Sequence, residues 1–99
     1  MQKSVHAFIT KHNLRTTPQT RYIDLVSEVG ELGKEILTAT GYGKTEFTLT
    51  AHTESEIGDC LFSLLALCTE MNIDAEAALQ KALKKYEARF TQKGHISSQ

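Results

Sequence analysis

Two short segments carry carboxylates at a spacing suited to holding a cation: "EVGE" at 28–31 and "EIGD" at 56–59. Side chains three apart on a helix are neighbours, with Cβ atoms about 5–6 Å apart. Each segment therefore presents an acidic pair, Glu28 with Glu31 and Glu56 with Asp59. Like charges at this spacing oppose a helix, and two such pairs facing each other offer four oxygen donors. An all-oxygen set suits Mg²⁺ or Mn²⁺ rather than zinc. Asp59 sits directly before "CLFSLLAL", where full solvation is not expected and an unpaired buried carboxylate is costly. A cation resolves that cost. Simpler roles stay open: Thr53 and Glu56 match a T-x-x-E capping box. Glu28 could instead pair with Arg21 or Lys34, and Glu31 with Lys34 or Lys85.

The opposite charge lies near the C-terminus. Lys81, Lys85 and Arg89 recur every four residues with no acid on that line. A bound polyphosphate would relieve their repulsion; the alternative is a solvated basic face with Lys84 paired to Glu87. No P-loop, glycine-rich dinucleotide turn or zinc pattern is present. Cys60 and Cys68 are eight residues apart in one apolar run, about 12 Å along a helix and too far for a disulfide. They read as buried free thiols of a reducing compartment, which argues against a Cys–His nucleophile.

Four helices are expected to position these groups. The first spans roughly 2–12, with Val5, Phe8 and Ile9 on one face. Thr17 can cap the second and Pro18 suits its first position, and "TATGYG" stops it near Ala39. Tyr22, Leu25, Val29, Leu32 and Ile36 form its expected core stripe, with Asp24, Glu28, Glu31 and Glu35 as an acidic ridge alongside. The segment 41–52 is a long connection for a bundle, with "EFTLT" extended, and serves as a surface loop, a lid or a subunit contact. The third helix opens at Thr53 and runs to about Met71. Ile57, Leu61, Leu64, Leu65 and Cys68 form its apolar face, while Glu56, Asp59, Ser63 and Glu70 form one narrow polar line. Asp74 caps the fourth helix, Leu79, Leu83, Tyr86 and Phe90 form its buried stripe, and Gly94 limits it. Gly30 and Gly58 could let backbones approach closely between the two acidic segments, and Gly33 is assigned only a packing role.

With 99 residues the chain is expected to be a single helical domain, ending in a polar tail over about 92–99. Such a domain buries only about 60–70% of its unfolded surface. The third helix is apolar nearly all round and must be buried nearly all round, so a homodimer is the natural solution. A net charge of −1 provides no global field for nucleic acid or an anionic membrane. "MQKSVHAFITKHN" lacks the apolar core of a signal peptide, and "CLFSLLALC" is too short to cross a bilayer. A soluble cytoplasmic protein is expected.

"SEVGELGKEI", "ESEIGDCLFSLLALCTEMNID" and "KALKKYEARF" together resemble the MazG-like nucleotide pyrophosphohydrolases of the all-α NTP pyrophosphatase superfamily, loosely over the first helix to Ile96. The resemblance implies an all-α four-helix-type bundle completed by dimerisation, as a homodimer or dimer of dimers. It implies Mg²⁺-dependent cleavage of a nucleoside triphosphate between the α and β phosphates, giving a nucleoside monophosphate and pyrophosphate, in nucleotide-pool house-cleaning. Mn²⁺ could substitute for Mg²⁺; no nucleic acid polymer or membrane is a partner. Glu28, Glu31, Glu56 and Asp59 carry over as metal ligands, and Lys85 and Arg89 as phosphate contacts. Glu31 is the first candidate for activating water and Glu28 the second. Phe8, Tyr22 and Phe62 are candidate walls of a base pocket. Ser27 departs from the family pattern, in which many members place another acid. Phosphoribosyl-ATP pyrophosphohydrolase and a non-catalytic helical dimerisation module are the alternatives.

Overall fold

In a computed structural model, residues 1–93 are described and form four α-helices: α1 (Gln2–Lys11), α2 (Pro18–Ala39), α3 (Ala51–Glu70) and α4 (Ala75–Lys93). No strand occurs among the described residues. The expected limit at Gly94 and most of the expected tail lie outside them. Thr17 caps α2 by accepting from the Thr20 N–H at 3.3 Å, with Pro18 in the first turn. Asp74 accepts from the Ala77 N–H at 3.1 Å at the start of α4.

Helix α3 begins earlier than expected. Thr50 is its N-cap and accepts from the Thr53 N–H at 3.3 Å. Thr53 is thus inside the helix and buried, so no capping box accounts for Glu56. The α2–α3 connection starts with left-handed residues at Gly41, Tyr42 and Gly43. At Gly41 a Cβ would lie 3.1 Å from the Thr45 hydroxyl oxygen. The Thr48 N–H returns to the Ala39 carbonyl at 3.1 Å.

The main packing joins α2 to α3, with α1 laid on α3. On α2 the less exposed residues are Arg21, Leu25, Glu28, Leu32, Glu35 and Ala39, alternating four and three apart as an interhelical seam requires. Thr53, Glu56, Cys60, Ser63, Leu67 and Glu70 form the same alternation on α3. The expected core of α2 is therefore corrected. Tyr22, Val29 and Ile36 face out, and Glu28 and Glu35 lie in the seam rather than on a ridge beside it. On α3 most of the polar line packs inward, and Ile57, Leu61 and Leu64 remain exposed. Asp59 is also exposed, contrary to expectation, because it lies at the seam's edge.

Two polar pins close the ends of this antiparallel pair. Arg15 Nε and Arg21 Nε donate to Glu70 at 2.7 and 3.1 Å, and the Thr16 N–H adds a third bond at 3.1 Å. Arg21 also donates to the Leu14 carbonyl at 2.5 Å. At the other end the Thr50 hydroxyl donates to Glu35 Oε1 at 3.1 Å. Gln2 ties α1 to the α3–α4 link, donating to the Ile73 carbonyl and accepting from the Ala75 N–H, both at 2.8 Å.

Helix α4 has no extensive packing against the others. Leu79, Leu83 and Phe90, expected in the core, are about half exposed. The radius of gyration is 16.6 Å, against about 13 Å for a compact chain of this length. The accessible surface is 7535 Å², whereas a compact protein of 11.0 kDa exposes about 5,600 Å². Apolar residues left exposed on α2, α3 and α4, such as Val29, Leu61 and Leu83, contribute to this excess.

Candidate metal centre

Seam packing brings Glu28 of α2 against Glu56 and Asp59 of α3, so that one carboxylate oxygen from each lies within 4.8 Å of the others. Glu28 and Glu56 are half-buried and Asp59 is exposed. Burial pushes the Glu28 carboxyl above its ordinary range, and the charges of Asp59, Glu56, Glu31 and Asp24 push it further the same way. Cys60, in the same seam, has its thiol raised by burial and then by Glu28, Glu56 and Asp59. Both thiols are free and only partly buried.

The alternative pairings do not form. Among the described residues the ion pairs are those of Glu70 with Arg15 and Arg21. Arg21 is thus engaged at the far end of the seam, and no ion pair shown among the described residues neutralises the Glu28–Glu56–Asp59 group. Three converging carboxylates without a basic partner present hard oxygen donors and excess negative charge, a set that fits Mg²⁺ or Mn²⁺.

Glu31 does not join the trio. It is exposed, close enough to Glu28 to repel it but outside the converging oxygens. Lys85 and Arg89 lie on α4 with the Lys85 ammonium 5.0 Å and the Arg89 guanidinium 5.9 Å from the Tyr86 ring centre, so both cations flank one aromatic ring. Phe8 and Phe62 meet edge to face at 5.9 Å, and the His12 ring lies tilted against Phe8 at 4.5 Å. Tyr22 stays 59% exposed.

Glu70, on the same polar line of α3 as Asp59, is sealed beneath two arginines. Burial alone would raise its carboxyl, yet the hydrogen bonds from Arg15, Thr16 and Arg21 outweigh that and hold it below the ordinary range. The backbone approach expected at Gly30 and Gly58 does not occur in the protomer: a Cβ there, or at Gly33, would meet nothing within 4 Å.

The sequence pattern of the MazG nucleotide pyrophosphohydrolase domain matches residues 16–92, which hold both arms of the seam and α4 nearly to its end. A 37-residue stretch is 49% identical to the nucleoside triphosphate pyrophosphohydrolase/pyrophosphatase MazG of Thermotoga maritima, covering 37% of this chain and 14% of that protein. The trigger factor of Rhodospirillum rubrum is 37% identical over 84 residues, 85% of this chain and 16% of that protein. The matched stretches thus span only about a seventh of the length of either relative. No solved structure matches. The chain belongs to the MazG nucleotide pyrophosphohydrolase domain family.

Proposed function

We propose that this chain is a Mg²⁺-dependent nucleoside triphosphate pyrophosphohydrolase domain, producing a nucleoside monophosphate and pyrophosphate. The convergence of Glu28, Glu56 and Asp59 across the α2–α3 seam carries the reading. These three side chains would hold the ion, and Glu31 would complete the acidic set from the solvent side. A bound Mg²⁺ supplies neutralisation of phosphate charge and acidification of water. Glu31, outside the converging trio, is free to orient a water molecule and take its proton as the water oxygen bonds to the α phosphorus. Glu28 is the second candidate for that proton. The bond from the α phosphorus to the bridging oxygen breaks, and the electron pair leaves with pyrophosphate.

Lys85 and Arg89 hold the departing phosphates. Because α4 splays from the seam of its own chain, that role requires α4 to lie against a seam in the assembled protein. A homodimer, or a dimer of dimers, provides this arrangement and covers the exposed apolar faces. The Phe8–Phe62 pair forms an aromatic wall for a base; Tyr22 would join it only across an assembled interface.

Pyrophosphate release from a panel of ordinary and damaged nucleoside triphosphates, assayed with Mg²⁺ and with Mn²⁺, tests the reading. Turnover of at least one is expected. No turnover, together with no Mn²⁺ binding by calorimetry, would leave a non-catalytic helical module. Selective cleavage of phosphoribosyl-ATP would assign the chemistry to that substrate instead.

A further inference from the structure

Arg21, Glu28 and Glu35 stand seven residues apart on α2, so they share one stripe of the seam. The outer two are each bonded to α3, Arg21 to Glu70 and Glu35 to Thr50, while the middle one meets Glu56 and Asp59. The carboxylate trio is therefore bracketed by polar pins two helical turns away on either side. Glu35 makes a specific kind of contact. Its partner Thr50 is the N-cap of α3, and the same hydroxyl that donates to Glu35 accepts from the Thr53 N–H. Glu56 and Asp59 follow within the next turns of that helix. Rotation or sliding of α3 would separate them from Glu28, and the like charges at the trio push in that direction.

We infer that Glu35 is a positioning residue for the metal centre: through Thr50 it fixes the start of α3, and so the register that brings Glu28 to Glu56 and Asp59. It touches neither metal nor substrate. The inference rests on the metal-site reading proposed above.

Mn²⁺ affinity measured by calorimetry on the whole chain tests it, with Glu35→Ala and Glu35→Gln compared against the unaltered protein. Glu35→Ala loses the acceptor and is expected to bind Mn²⁺ roughly three- to tenfold more weakly, the scale of one hydrogen bond coupled to the site. Glu35→Gln retains a carbonyl oxygen for the Thr50 hydroxyl and is expected to stay within about twofold of the unaltered protein. A Glu35→Gln affinity as poor as that of Glu35→Ala would make Glu35 a charged ligand and overturn the positioning role. Equal affinity in unaltered protein and Glu35→Ala, with only thermal stability reduced, would overturn it too and leave the metal site standing. Absence of Mn²⁺ binding in the unaltered protein would overturn both readings.

Discussion

Glu28 and Glu70 are carboxylates of one helix-pair seam whose proton affinities move in opposite directions. Glu28 meets other acids and holds its proton more tightly than usual; Glu70 meets arginines and holds it less tightly. The Glu70 side chain is 1% exposed and that of Arg21 9%, so removing the charge leaves a buried guanidinium without its counter-charge. Glu70→Gln is expected to cost about 3 kcal/mol of folding stability, measured by urea denaturation at neutral pH. Because the folded-state pKa is depressed, this contribution is complete above the ordinary value of 4.5 and is lost as pH falls through the depressed one. The gap between unaltered protein and variant should therefore narrow below that value. Asp59→Ala probes the opposite environment. It is exposed and repelled by its neighbours, so its loss should leave metal-free stability unchanged or raised while pyrophosphate release falls at least roughly a hundredfold.

At the scale of helices, local sequence specified much and stopped at a clear limit. Thr17, Pro18 and Asp74 announced their helix starts because capping is a contact within three residues. The E-x-x-E and E-x-x-D spacings announced the acid pairs within each helix; across the seam Glu28 lies near Glu56 and Asp59, and Glu31 stays outside. The inward stripe of α2 was displaced by one helical position. Val29 and Ile36 looked like core by hydrophobicity, but pins at Arg21 and Glu35 rotate the helix so that Glu28 and Leu32 face α3. Those pins join residues 49 and 15 positions apart, a separation that no periodicity reports. Gly33 illustrates the consequence. It lies mid-helix on the outer face with open space about its Cα, so Gly33→Ala should gain about 0.5–1 kcal/mol of helix stability. Thermal unfolding checks this; a lowered midpoint would show that a second chain fills that space.

For the whole molecule, a surface excess of roughly 1,900 Å² over a compact chain exceeds the share of about 800 Å² that each partner contributes to a standard interface. Solution scattering at micromolar concentration is expected to show a homodimer or larger closed assembly. Leu83→Glu, on the uncovered stripe of α4, should shift it toward monomer. The sequence pointed to this through α3, too apolar for a chain of this length to enclose, but which faces stay open depends on α4 leaving the bundle. The placement of charge within the seam has one more consequence. The Arg21–Glu70 attraction is sealed from water, whereas the repulsion among Glu28, Glu31, Asp59 and Asp24 reaches the solvent. Dissolved ions screen the exposed repulsion and barely reach the buried attraction. Sodium chloride, a salt with no chemical claim on the site, should therefore raise the melting temperature of the chelator-treated protein over the physiological range of ionic strength.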